Sequence, residues 1–254
     1  MLNKLKNITN VYGYFYLKVW MLHLVVLSSL FLIDIKYVVY GLIVTFFYMP
    51  LSQLIHHEYV SHQYVQPKNK WIDLVCLFLL YFSDTAALDK YAWHINHHVK
   101  WRDPAIDPVQ QKMALTSKWR YLFGLTVPLD VDVPPRKNML LENNQWVKMF
   151  DAHVSKIFLT YIILMFIVLP LPWFFVFCIY PYWLIMMLFN LHDQLFHGKN
   201  KDPDSAWYLP IYGNAAWHIK HHEEYKIEYY GPGMWRWFNL SWYYRLLLFK
   251  PVKQ

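Results

Sequence analysis

The chain has 254 residues and a formal net charge of +7, with 57 % hydrophobic and only 16 % charged residues. An ordinary soluble domain carries about 25 % charged residues. Aromatic residues reach 20 %, including 13 Trp and 21 Tyr, a composition that excludes disorder and argues for a bilayer rather than a soluble nucleic-acid binder. The two cysteines, Cys76 and Cys178, lie in apolar runs and form neither a disulfide framework nor a CxxC metal pair.

Lys4 and Lys6 precede an apolar run from Val19 to Ile33 that ends in Asp34 and Lys36 with no small-residue cleavage site. This reads as a retained anchor rather than a signal peptide, with a first membrane helix over about 15–33. Lys18 and Lys36 snorkel at its ends. Tyr37 to Ile55 has 19 uncharged residues, close to the roughly 20 a helix needs to cross the hydrocarbon. It predicts a second crossing over 37–55. The stretch 71–88 is interrupted by Asp73 and Asp84, which leave ten uncharged residues between them. Ten is too few to span, so an interfacial helix is expected. Val99 to Val147 is the nearest thing to a linker, with a helix stop at Val133-Pro134-Pro135. From Ile157 to Leu191 there are 35 residues without a charge. One straight helix of that length would overshoot the bilayer by roughly 20 Å. Pro170 and Pro172 break it in two, giving a short third crossing over 153–169, which borrows residues near His153, and a fourth over 173–191.

Four crossings in two hairpins put both termini on one side. Of the 24 Lys and Arg residues only Lys36 falls in a far-side loop, so the positive-inside rule places the termini in the cytoplasm. The expected architecture is all-α: a single membrane domain over 1–254, with a cytosolic helical cap formed by 56–70, 89–150 and 192–254. Met234 to Phe249 reads as an amphipathic helix lying on the membrane.

Eleven of the 13 histidines lie in four short clusters: His56-His57-Glu58-Tyr59-Val60-Ser61-His62, His94-Ile95-Asn96-His97-His98, His192-Asp193-Gln194-Leu195-Phe196-His197 and His218-Ile219-Lys220-His221-His222. The second and fourth share the pattern HxxHH, whose i, i+3 and i+4 positions fall on one helix face. His23 and His153 read as interfacial hydrogen-bonding residues. If 71–88 does not cross, all four clusters lie on the same face and one site can gather them. All-imidazole sites hold Zn, Cu, Fe or Ni. Eight or more histidines exceed the needs of one ion, so a two-metal site is expected; zinc hydrolysis needs only three ligands and a base, whereas iron suits O2 activation at a membrane surface.

HEYVSH (57–62), HINHH (94–98) and HIKHH (218–222) resemble the three histidine boxes of the integral-membrane fatty acid desaturase and hydroxylase superfamily. The likeness covers about residues 15 to 250 in motif order and spacing. It implies a di-iron centre, O2 as oxidant, a separate electron-donor protein and a helical membrane body with a cytosolic cap. By this resemblance the metal ligands are His57 and His62, then His94, His97 and His98, then His218, His221 and His222. The ninth is His192 or His197, and His56 is an additional histidine beside the centre. The Asp107-Pro108 pair also resembles the family pattern. Metal-ligating imidazoles need acceptors on their other ring nitrogen. Glu58, Asp193, Glu223, Asp103 and Asp107 are the candidates, each also readable as a solvated charge.

The implied reaction is O2-dependent oxidation of a fatty acyl chain, as thioester or lipid-linked substrate, by insertion of a double bond. C–H cleavage on an unactivated chain needs a metal centre and O2 rather than a protein acid or base. A hydroxylase or ketolase on the same core is the alternative. A non-enzymatic metal-binding membrane protein is a third reading, which polar residues along the crossings would favour. Lys100 and Arg102, with Lys118, Arg120, Arg136 and Lys137, are candidates to hold the substrate head group or anionic lipid.

Overall fold

The computed structural model describes residues 2–83, 85–101, 103, 105–126, 138–196, 208–209, 213–214, 221–223 and 240–252. Among these residues the chain is mostly helical. Three helical stretches are long and apolar enough to cross a membrane: Ile35–Ser61, Gln145–Val168 and Leu171–Leu191. A shorter apolar helix covers Tyr16–Leu32.

Helix α1 runs Leu2–Leu32, starting earlier than the composition predicts. Its apolar part is only about 26 Å long at 1.5 Å per residue. Asp34 turns the chain and caps α2 (Ile35–Gln53), its carboxylate accepting from the Lys36 amide at 3.0 Å. α2 continues into a π-helical turn, Leu54–Ser61. The Pro170–Pro172 break forms as expected: α9 (Val154–Val168) ends before it, and α10 (Leu171–Phe174) restarts with proline in its first turn. A second π-helical turn, Phe175–Ile179, leads into α11 (Tyr180–Phe196).

α1, α2 and the start of α11 pack around Val26, Ile33, Phe174, Phe175, Cys178, Ile179 and Tyr180. Gly41 permits this approach, because a Cβ there would stand 2.5 Å from the Tyr180 ring. The Tyr180 hydroxyl reaches Ser29 Oγ at 2.8 Å and ties α11 to α1. The Gln145–Val168 stretch is different. Its most apolar window is only 6 % buried, against 44 % for each of the other two.

A second core joins the cap elements. It is built on Leu54, Val60, Leu77, Tyr81, Ile95, Leu141 and Val147. The elements are α3 (Lys70–Tyr81), α4 (Ala87–Val99), α5 (Pro108–Leu115), α6 (Lys118–Leu122), α7 (Met139–Glu142) and α8 (Gln145–Phe150). Two expectations are corrected here. The stretch 71–88 is not one helix. α3 stops at Tyr81, where the Ser83 hydroxyl donates to the Leu80 carbonyl at 2.6 Å, and α4 starts afresh at Ala87. The interval 99–147 is not a linker in its described part, because α5 to α8 fill it.

The fold is also not purely helical. β1 (Val65–Pro67) pairs antiparallel with β4 (Phe249–Pro251), Val65 opposite Pro251. β2 (Tyr208–Leu209) pairs with β3 (Gly213–Asn214). Of the predicted amphipathic segment, α12 (Leu240–Leu248) is described. It exposes Tyr243, Leu246 and Leu247. Ser241 and Tyr244 donate to the Pro50 and Phe47 carbonyls, each at 3.0 Å. These bonds staple α12 to the part of α2 where Pro50 removes a ladder donor.

Candidate metal centre

His57 and His62 are five residues apart. In an α-helix that spacing turns the two side chains about 140° away from each other. The π-helical turn changes this, because i→i+5 bonding stacks residues five apart as α-helical bonding stacks those four apart. The His62 amide donates to the His57 carbonyl at 2.9 Å, and the two rings lie 4.5 Å apart. Ser61 Oγ donates to the His56 carbonyl at 2.6 Å within the same turn. Gln63, at φ 56°, takes a left-handed conformation that ends it. His94 and His98 need no such device. They are four apart on α4, and their rings lie 4.6 Å apart.

His57, His62, His94, His98 and His221, all buried, bring one ligand nitrogen each within 4.8 Å of one another. His62 Nε2 lies 2.9 Å from His94 Nε2 and 2.9 Å from His221 Nε2, and His98 Nε2 lies 3.0 Å from His94 Nε2. Each such nitrogen carries one proton or one in-plane lone pair. Neutral imidazoles that face each other this way suit a shared cation. The spacing equals the about 3.0 Å between right-angle ligands on bonds of about 2.1 Å, and is shorter than the about 3.4 Å of a tetrahedron. Burial first, and the neighbouring imidazoles second, hold His62 and His94 well below the usual 6.5. Both are therefore neutral and able to ligate at neutral pH.

His97 and His222 stand beside this group. Their rings are 4.6 Å apart, and His222 stacks on His98 at 4.1 Å. Trp101 covers the other face of His222, nearly parallel at 4.1 Å. Two of the predicted carboxylate partners are in place. Glu58 Oε1 lies 3.1 Å from His57 Nδ1 and Asp107 Oδ1 lies 2.8 Å from His97 Nδ1. Asp107 also caps α5, accepting from the Val109 amide at 2.8 Å.

No protein-family model, curated protein or solved structure matches this chain.

Other predicted residues fall elsewhere. His56 is outside the group, with Nε2 3.4 Å from Ser83 Oγ. Asp103 caps a turn, accepting from the Ala105 amide at 2.9 Å, and Glu223 is exposed. Lys100 is half-buried just past the end of α4. Lys118 and Arg120 are exposed, with Arg120 over the Tyr16 ring. His192 and Asp193 lie on α11, but their side chains are outside the described residues, as are His197, His218, Arg102, Arg136 and Lys137. His23 is a structural residue. It accepts from Trp183 Nε1 at 2.8 Å, and its Nε2 bonds the Phe123 carbonyl at 2.8 Å.

Sequence reasoning misses the supports of the site. Asn138 caps α7 and donates to the Val60 carbonyl at 3.0 Å. Asn144 caps α8 and donates to Asp73 at 2.8 Å. Asp151 accepts from the Ala87 and Leu88 amides at 2.7 and 3.0 Å. The Asn-before-helix signature is readable; the long-range partners are not.

Proposed function

We propose that the protein is a membrane di-iron oxidase that inserts a double bond into a fatty acyl chain, with O2 as oxidant and electrons from a separate donor protein. The observation that supports this is the convergence of five buried imidazoles, drawn from three distant chain segments, beside apolar helices long enough to span a bilayer. The spans are Tyr16–Leu32, Ile35–Ser61, Gln145–Val168 and Leu171–Leu191, with both termini and the histidines on the cytoplasmic side. The histidine boxes 57–62, 94–98 and 218–222 carry the likeness to the desaturase and hydroxylase superfamily.

One iron is held by His57, His62, His94, His98 and His221, and the second by His97, His222 and the remaining box histidines, His218 and His192 or His197. Bound iron supplies the redox chemistry with O2 that no side chain offers on an unactivated C–H bond. The chain itself does the positioning. Glu58 and Asp107 fix the tautomer and plane of His57 and His97. Leu54, Ile55, Val60 and Ile95, all buried, anchor the two histidine-bearing segments in one apolar core. In the net reaction two hydrogens leave adjacent carbons, and O2 takes them with two further electrons and two protons to become two waters.

The test is expression in a membrane host, iron counting on the purified chain and mass spectrometry of the acyl products. Two irons per chain and products lighter by two hydrogens support the proposal. Products heavier by one oxygen replace desaturation with hydroxylation. An iron-free chain that leaves the acyl pool unchanged ends the oxidase reading.

A further inference from the structure

Box one and box two sit on separate elements, and the metal site needs both in one arrangement. The π-helical turn ends in loose carbonyls, and α4 has Ala86 at its N-cap, whose side chain cannot cap it. Both weaknesses are met from one stretch of chain. Asn138 donates to the Val60 carbonyl inside the π-helical turn, at 3.0 Å. Asn144 donates to Asp73 Oδ2 at 2.8 Å, and Asp73 Oδ1 accepts from the Tyr59 hydroxyl at 2.5 Å. Tyr59 lies between His57 and His62. Asp151 then supplies the missing cap of α4 from 64 residues away, with two amide bonds and a negative charge at the positive end of the helix dipole. Asn138 and Tyr59 are buried, to 1 % and 3 % exposure.

We infer that segment 138–151 is a brace that sets box one against box two, with Asn138, Asn144 and Asp151 as positioning residues of the metal centre. It rests on the metal-centre reading for its purpose and on hydrogen bonds alone for its existence. The brace also leads directly into α9, whose apolar surface is largely exposed. That span therefore meets the site through its cap end.

The asparagines allow a clean cut. Asn144→Asp keeps the oxygen that caps α8 but sets a carboxylate against Asp73, and Asn138→Asp keeps the α7 cap but removes the donor to Val60. Asp73→Asn added to Asn144→Asp restores a complementary pair. Asp34→Ala is the control. Asp34 caps α2 through the Lys36 amide at 3.0 Å, at the end of that helix away from the histidines. Co(II) is titrated into each apo full-length chain in detergent and read by its visible bands. Amide exchange is followed on the same apo chains.

Asn144→Asp and Asn138→Asp are expected to weaken Co(II) binding at least about tenfold, the scale of lost ligand supports, and to move the bands. The double variant recovers most of the loss, and Asp34→Ala leaves affinity and spectrum unchanged. Asp151→Ala speeds exchange in the first turn of α4; if it does not fold, Asp151→Asn is read in its place. Wild-type affinity in the asparagine variants, no recovery in the double variant, or an equal loss in Asp34→Ala overturns the brace. A wild-type chain that binds no Co(II) overturns the metal centre instead. Exchange at α4 and the π-helical turn then decides the brace by itself.

Discussion

The π-helical turn Leu54–Ser61 and helix α4 deliver the same thing, two imidazoles to one cluster, by different windings. α4 uses four-residue spacing and ordinary hydrogen bonds. The π-helical turn uses five-residue spacing and needs a wider winding, a serine bonded back to the backbone and a left-handed residue to close it. The lesson is that histidine spacing specifies the winding of the segment that presents it. A five-residue gap that must converge forces a local departure from the α-helix.

The severest way to break this equivalence is at the residue both windings meet. His62 Nε2 touches His94 of α4 and His221 of the third box. His62→Ala is expected to empty the five-imidazole group and leave at most one ion per chain, measured as metal per chain by mass spectrometry. Retention of full metal content would show that the two windings do not share one site. Next in size is the neighbouring pair. His97→Ala leaves the five-imidazole group intact, so bound metal is expected to fall from two ions per chain to one. Asp107→Asn, which weakens the His97 orientation, is expected to lower the affinity of the ion that His97 helps to hold about 10- to 100-fold.

Much of this was legible in the sequence, and the failures have physical causes. The long apolar helices follow from uncharged runs, and the break between two of them from Pro170 and Pro172, because proline lacks a backbone donor. Glu58 and Asp107 are readable because the first adjoins His57 and the second opens a helix shortly after His97 and His98. The split of 71–88 was not readable. Ser83 ends α3 and a carboxylate 64 residues from Ala87 starts α4. The place of His56 was not readable either, because the sequence does not show whether the turn winds as α or π. Local pattern gives faces and breaks; it does not give partners that only the folded chain brings near.

Acid separates the two windings from the unfolded chain by a smaller amount. His62 from the π-helical side and His94 from α4 both titrate well below 6.5 when folded, chiefly through burial. The unfolded chain therefore binds protons at these sites first as pH falls. Their stabilising contribution is full above the unfolded value of about 6.5 and is lost progressively below it. The apo chain is expected to lose thermal stability through pH 6 and 5, and His94→Gln to show a shallower slope. A flat profile over that window would mean that the two rings are not held neutral by burial.

The smallest expected effect lies at the end of the π-helical turn. Gln63 holds φ 56° while α4 ends at Lys100 with φ −104°. A left-handed residue other than glycine costs about 1–2 kcal/mol. Glycine removes that cost but adds freedom to the unfolded chain, at about 0.4–1 kcal/mol. Gln63→Gly should therefore gain on the order of 0.5 kcal/mol, or about 1–2 °C in Tm for a chain of this size, with metal affinity unchanged. Lys100→Gly, at the end of α4, has no left-handed strain to release and is expected to gain nothing. Equal shifts at both positions would mean that closing the wider winding costs no more than ending an ordinary helix, and the contrast between the two elements would shrink to spacing alone.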